Sequence, residues 1–249
     1  MAEKLTVAEA SAAYESAMRN MAPPGPTVCP TCHAFIAPHY NVCRPCSQQP
    51  DELDAVVPIT YSENRGPLHH ALRMYKDGPQ EEVRRYAIVR LTAVLWRFLE
   101  AHEGCLASHV GVSSFDLVTT VPSSTSDADD RRDRLRTMVG WCRPVAPRLD
   151  RVLRATANAE AGHHYDAGRY TTVKSIAGSD VLLIDDTWTT GGHAQSAAHA
   201  LHRAGASRIG LVVIGRHVRP EWEPTPGETC ADRLAALPRI FDWGLCAVH

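Results

Sequence analysis

The sequence predicts an α/β protein in which a parallel sheet carries helices on both faces and a small cysteine-rich module sits near the amino end. Three observations carry this expectation. Val181 to Ile184 is an unbroken apolar run that leads into a loop, a helical pattern and a second apolar run, Arg208 to Ile214. Continuous runs of this kind belong to strands buried on both faces, and a strand, helix, strand order with its right-handed crossover builds a parallel sheet. Asp116 to Val121, DLVTTV, adds a further strand that ends in a turn of small polar residues. Finally, Cys29, Cys32, Cys43 and Cys46 form two Cys-x-x-Cys pairs separated by ten residues.

Composition sets the outer limits. The 249 residues suffice for one α/β domain and a small appendage, and 44% hydrophobic with 22% charged residues is ordinary for a globular chain. A formal charge of −2 gives no general attraction to nucleic acid or anionic membrane. No apolar run reaches membrane-spanning length, and the amino-terminal residues lack a basic start followed by an apolar core. The expectation is a cytoplasmic protein with reduced cysteines.

In chain order, residues 6–19 suggest an amphipathic helix opened by a Thr6/Glu9 capping box, and MAPPGP at 21–26 breaks it off. Each Cys-x-x-Cys pair presents two thiolates from one tight turn, so the two pairs complete a tetrahedral sulfur site suited to structural zinc, with no open position for substrate. His33 reads as a solvated neighbour of the knuckle. A redox role would use a single pair, which fits two pairs at this spacing less well. Residues 55–61 read as a strand, and Pro58 favours an edge position. A short helix follows at 67–76, then a longer one from about 80 to 102 with Val83, Ala87, Leu91, Val94, Leu95, Phe98 and Leu99 on its core face. After the strand at 116–121, Ser123 and Ser124 belong to a turn rich in small donors. Arg131 and Arg132 lie in a balanced mixed-charge run that reads as a solvated face or a helix start. Residues 151–174, with His163 and His164, suit a hood over a site or an ordinary connection. The tail from 219 holds Cys246 and His249, which alone are assigned no metal.

The chemistry concentrates in VLLIDDTWTTGG, residues 181–192. A strand ends in Asp185 and Asp186, and a loop of threonines and glycines leads into a helix running to about Gly205. Free N–H groups and the positive end of the helix dipole favour an anion there, and glycines let the backbone close around it. The two acids repel a phosphate, so they face something attached to it, either sugar hydroxyls or a phosphate-bound magnesium ion.

This stretch resembles the phosphoribosyl pyrophosphate (PRPP) motif of type I phosphoribosyltransferases. Together with CPTCH and CRPC at 29–46, LRMYKDG at 72–78 and DLVTTVPSS at 116–124, it resembles the ComF family of competence-associated phosphoribosyltransferase homologues over roughly residues 28–215. The resemblance implies a Rossmann-like, type I phosphoribosyltransferase-like fold with a zinc-ribbon-like module. It divides the chain into a helix and linker at 1–26, a four-cysteine zinc module at 27–50, a phosphoribosyltransferase-like domain at 51–219 and a tail at 220–249. It implies that Asp185 and Asp186 hold the ribose hydroxyls as the catalytic pair, and that Thr187, Trp188, Thr189, Thr190, Gly191, Gly192 and His193 surround the 5′-phosphate. The family usually has Thr or Ser where this chain has His193, and Thr120 replaces the first proline of a Pro-Val-Pro. Ser123, Ser124, Arg131 and Arg132 would receive the pyrophosphate, and Mg²⁺ would accompany PRPP.

The activity so implied is transfer of a 5-phosphoribosyl group to an unidentified nitrogen acceptor with release of pyrophosphate. Two other readings stay open. One is a non-catalytic PRPP-binding or nucleic-acid-associated accessory protein, although residues 28–50 hold only Arg44 as a permanent cation. The other is a degenerate domain that keeps the fold and binds no PRPP, against which the intact acids and Thr189, Thr190 and Gly191 argue.

Overall fold

The computed structural model describes residues 5–123, 133–157 and 162–248. Within them the chain forms a four-stranded, fully parallel sheet in the order β1 (Ala55–Glu63), β6 (Arg208–Val218), β5 (Asp180–Trp188), β2 (Leu117–Thr120). Pro58 sits in an edge strand, as a residue without an N–H requires.

The apolar runs of β5 and β6 are continuous because both sheet faces are covered. Leu182, Ile184, Val212 and Ile214 face one cluster, which holds Ala71 and Tyr75 of α3 (Pro67–Asp77), Leu91 and Leu95 of α4 (Glu81–His109) and Met138 of α5 (Arg134–Trp141). Val181, Leu183, Leu211 and Val213 face the other, which holds Ala197 and Leu201 of α6 (Gly192–Arg203) and three of the paired cysteines, Cys29, Cys32 and Cys43. The period of two along each strand divides the residues between the faces.

Several elements differ in extent from their sequence patterns. Helix α1 is confined to Val7–Glu15, opened by the expected box, in which Thr6 Oγ1 accepts from the Glu9 N–H at 3.2 Å and Glu9 Oε2 accepts from the Thr6 N–H at 2.7 Å. Helix α4 runs past His102 because Leu106 and Ala107 continue its buried stripe, and it stops before Gly111, whose φ of +82° ends the helical path. Strand β5 continues through both acids to Trp188, since β6 extends alongside it with Asp185 opposite Val213 and Trp188 opposite Arg216. Part of the polar 151–174 region pairs as a short antiparallel ribbon, β3 (Leu153–Ala155) with β4 (Tyr170–Thr172). No helix among the described residues is long and apolar enough to cross a membrane.

Candidate functional site

A cavity of about 340 Å³ opens at the carboxyl ends of β2 and β5, where ligands of parallel α/β sheets usually bind. Its wall includes Ser123 after β2, the whole Asp185 to His193 segment, and Lys76 and Asp77 at the end of α3. The sequence-predicted residues of the 185–193 segment and Ser123 therefore meet at one place. Ser124, Arg131 and Arg132 lie outside the described residues.

The two acids occupy different surroundings. Asp186 is buried, accepting from the Tyr75 hydroxyl at 2.7 Å and pairing with Lys76 Nζ at 2.6 Å. Asp185 is more open, with Oδ1 accepting from the Asp186 N–H at 2.8 Å. Desolvation, and then the neighbouring Asp186 charge, push the Asp185 pKa well above the ordinary carboxylate range. Desolvation also raises the Tyr75 pKa, so its hydroxyl stays a donor to Asp186. For Lys76, desolvation works against the ammonium, but Asp186 and then Asp185 and Asp77 leave its pKa above its usual value. Arg134 donates to the Tyr75 carbonyl at 2.9 Å and to that of Lys76, which fixes the end of α3 against the acids.

The loop owes its path to glycines. Gly191 caps α6 with φ of +90° and no side chain of its own, and the first helical N–H, that of Gly192, makes only a long contact of 3.4 Å to Thr190 Oγ1. A Cβ at Gly191 would stand 2.2 Å from the Trp188 ring, and one at Gly192 would stand 2.4 Å from the His163 carbonyl oxygen. The predicted outcome for Gly191→Ala is a loss of about 2–5 kcal/mol, from the left-handed backbone and the overlap with Trp188 together. A thermal melt checks this, and an unchanged midpoint would contradict it.

Residues 162–166 lie across this loop. Thr190 Oγ1 donates to the His163 carbonyl, the Asp166 N–H donates to Ser196 Oγ at 2.9 Å, and the His193 Nε2–H donates to the Gly162 carbonyl at 2.8 Å. Burial lowers the His193 pKa, so the ring is held as a neutral group tied to this segment. Trp188 is buried beneath Gly191, and its backbone carbonyl is taken by Arg216.

No family model matches this chain, and no curated protein matches it.

Sequence reasoning did not assign Tyr75, Lys76 or Arg216 to the site. The first two stand within LRMYKDG, so their signal was present as part of a resemblance without a role. Nothing local marks Arg216, because its importance arises only when β6 brings it between two distant loops.

The four cysteines converge as their spacing requires, with all four Sγ atoms within 4.8 Å of one another and Cys32 Sγ 3.5 Å from Cys43 Sγ. A tetrahedron with zinc–sulfur bonds of about 2.3 Å has sulfur–sulfur edges of about 3.8 Å, so the cluster can hold a structural zinc ion. One knuckle turns at His33, which adopts φ of +56°, and the other runs into the short helix α2 (Arg44–Ser47). His33 corrects the expectation of a solvated residue. It is 5% exposed because the turn folds it inward, where its carbonyl accepts from the Tyr61 hydroxyl at 2.9 Å. Desolvation accordingly lowers its pKa.

Arg216 joins the two sites. Buried, it donates through Nε to the Cys32 carbonyl at 2.9 Å and approaches Cys32 Sγ at 3.6 Å. It also donates to the carbonyls of Trp188 at 3.2 Å and Thr189 at 3.4 Å. A cysteine knuckle and the loop after β5 therefore share one guanidinium.

Proposed function

We propose that the chain binds PRPP in the cavity at the ends of β2 and β5 and transfers its 5-phosphoribosyl group to a nitrogen nucleophile, as the resemblance to ComF-type phosphoribosyltransferases implies. The observation that carries the reading is the junction of β5 with α6. Two carboxylates of unlike environment stand at the end of β5, and the glycine-shaped helix start that follows, whose N-cap Gly191 has no side chain to close it, faces the same cavity.

The 5′-phosphate would lie on the N–H groups from Thr189 to Gly192, where the helix dipole favours it. Asp185, the more open acid, would accept hydrogen bonds from the ribose hydroxyls and stabilise positive charge on the sugar. Asp186 would set the position of Lys76, whose ammonium stands where diphosphate oxygens could reach it. Ser123 would add a donor from the β2 side. In the reaction, the bond from C1 to the diphosphate oxygen breaks with its electron pair leaving on pyrophosphate. The nitrogen lone pair forms the new bond to C1 and the nitrogen then loses a proton. Positioning the two reactants is most of what the protein would contribute.

Magnesium would be held by substrate phosphates with Asp185 as the protein carboxylate. That fits an ion that usually takes one or two carboxylates together with phosphate oxygens, since Asp186 is already committed to Tyr75 and Lys76. Bound there, it would neutralise diphosphate charge. A second recess of about 230 Å³, lined by His69, Arg73 and His217, shares Lys76, Asp186, Thr187 and Thr189 with the main cavity and offers a place for the acceptor.

The test is pyrophosphate release from PRPP with magnesium, across a panel of ammonia, amines and nucleobases. Release above the water control, lost in Asp185→Asn, is the expected result. Tight PRPP binding without release by any acceptor would favour the accessory reading.

A further inference from the structure

A second group of metal-ligating side chains lies far from the cavity in sequence and in element. Helix α4 carries His102 and Cys105 one turn apart, and the C-terminal tail brings Cys246 to them, so that one donor atom from each lies within 4.8 Å of the others. We infer that His102, Cys105 and Cys246 form a second site for a thiophilic ion of the zinc class, which clasps the tail to α4.

The geometry of His102 supports this. Its Nε2 stands 2.8 Å from the Trp243 carbonyl oxygen, an atom that can only accept, so Nε2 carries the hydrogen and Nδ1 presents a lone pair. That lone pair faces the Cys105 sulfur at 3.8 Å. An imidazole that donates one N–H to a backbone carbonyl and offers its other nitrogen is the usual arrangement of a metal-bound histidine. His102 is also buried, while both cysteines are partly open, which gives an ion a route in.

The tail is placed independently of any metal. The Trp243 Nε1–H donates to Glu15 Oε1 at 2.7 Å, Arg97 lies over the Trp243 ring, and Asn20 and Asp242 exchange two hydrogen bonds of 2.8 Å. Phe241 and Ala247 are buried on either side of Cys246. The third ligand is thus delivered by packing. Two thiolates and a neutral imidazole balance a dication, which suits a partly buried site, and three protein ligands leave the fourth position to water or an exogenous ligand. The paired-cysteine cluster, with four thiolates, has no such position.

The experiment titrates Co²⁺ into the reduced, full-length protein whose paired-cysteine cluster already holds zinc, and reads thiolate-to-cobalt charge-transfer absorption. The expected result is a band that saturates at a single equivalent in the wild type and is reduced at least tenfold in Cys105→Ser and in Cys246→Ser. Unchanged zinc content and circular dichroism would show that these variants are folded. No band in the wild type, or a band undiminished in both variants, would overturn the proposal. So would a Cys105–Cys246 disulfide that resists treatment with reductant and excludes the ion.

Discussion

Arg216→Leu is expected to lower stability by about 3–5 kcal/mol, a large part of the roughly 5–15 kcal/mol that holds a typical domain together. The leucine fills part of the volume but donates nothing. It leaves the carbonyls of Cys32, Trp188, Thr189 and His217 without the guanidinium that now bonds them. An unsatisfied buried acceptor costs about 1–3 kcal/mol, and relaxation will recover some of it. Charge adds to the effect. Four thiolates around a zinc dication carry a net charge of about −2, and Arg216 is the cation against Cys32. The variant should therefore melt lower and also release zinc to a chelator faster than wild type. A lysine replacement should recover only part of the loss, since one ammonium cannot reproduce the fork. A melting temperature within a degree of wild type, with zinc retention unchanged, would refute the bridging role.

The second large effect is a divergence between the two acids. Asp185→Asn should raise the stability of the unliganded protein, and Asp186→Asn should lower it. Because the folded-state pKa of Asp185 lies above its ordinary value of 3.8, the neutral carboxyl is the form the fold prefers. Its contribution is fully present below that ordinary value and is lost as pH rises through the folded-state pKa. At neutral pH each unit of that shift costs about 1.4 kcal/mol, which asparagine avoids. The stability difference between Asp185→Asn and wild type should thus grow as pH rises from about 4 and then level off. Asp186→Asn instead removes the carboxylate that Tyr75 and Lys76 share. Lys76 is 48% exposed and can turn to water, so solvent screening limits the loss to about 1–2 kcal/mol. Melts of the two variants across pH 4 to 8 check both signs. Opposite shifts support the assignment of Asp185 as the acid kept at a cost for its ligand, whereas two shifts of the same sign would contradict it.

Much of this was legible in the sequence because the relevant signals are local. Val181 to Ile184 and Arg208 to Ile214 declare strands covered on both faces, and the glycines at 191 and 192 declare a loop in close contact with its surroundings. Two Cys-x-x-Cys turns declare a tetrathiolate site, and the sulfur atoms do converge. What escaped is whatever depends on assembly. The strand through Asp185 and Asp186 is longer than its apolar run because β6 pairs beside it, and polar residues in a paired strand leave no apolar signature. Lys76 reaches Asp186 across more than a hundred residues, and Cys246 reaches His102 across a comparable span. His33 departs from its sequence pattern for a related reason. A histidine beside a cysteine looks polar in sequence, but the left-handed turn of the knuckle points it inward.

The central claim is that the β5–α6 junction is a PRPP site, and calorimetric titration of PRPP into the zinc-loaded protein tests it most directly. The account predicts magnesium-dependent binding that is lost in the Asp185→Asn/Asp186→Asn double variant and strengthens as pH rises through the elevated pKa of Asp185. No heat of binding from folded wild-type protein, or binding that the double variant retains, would contradict it.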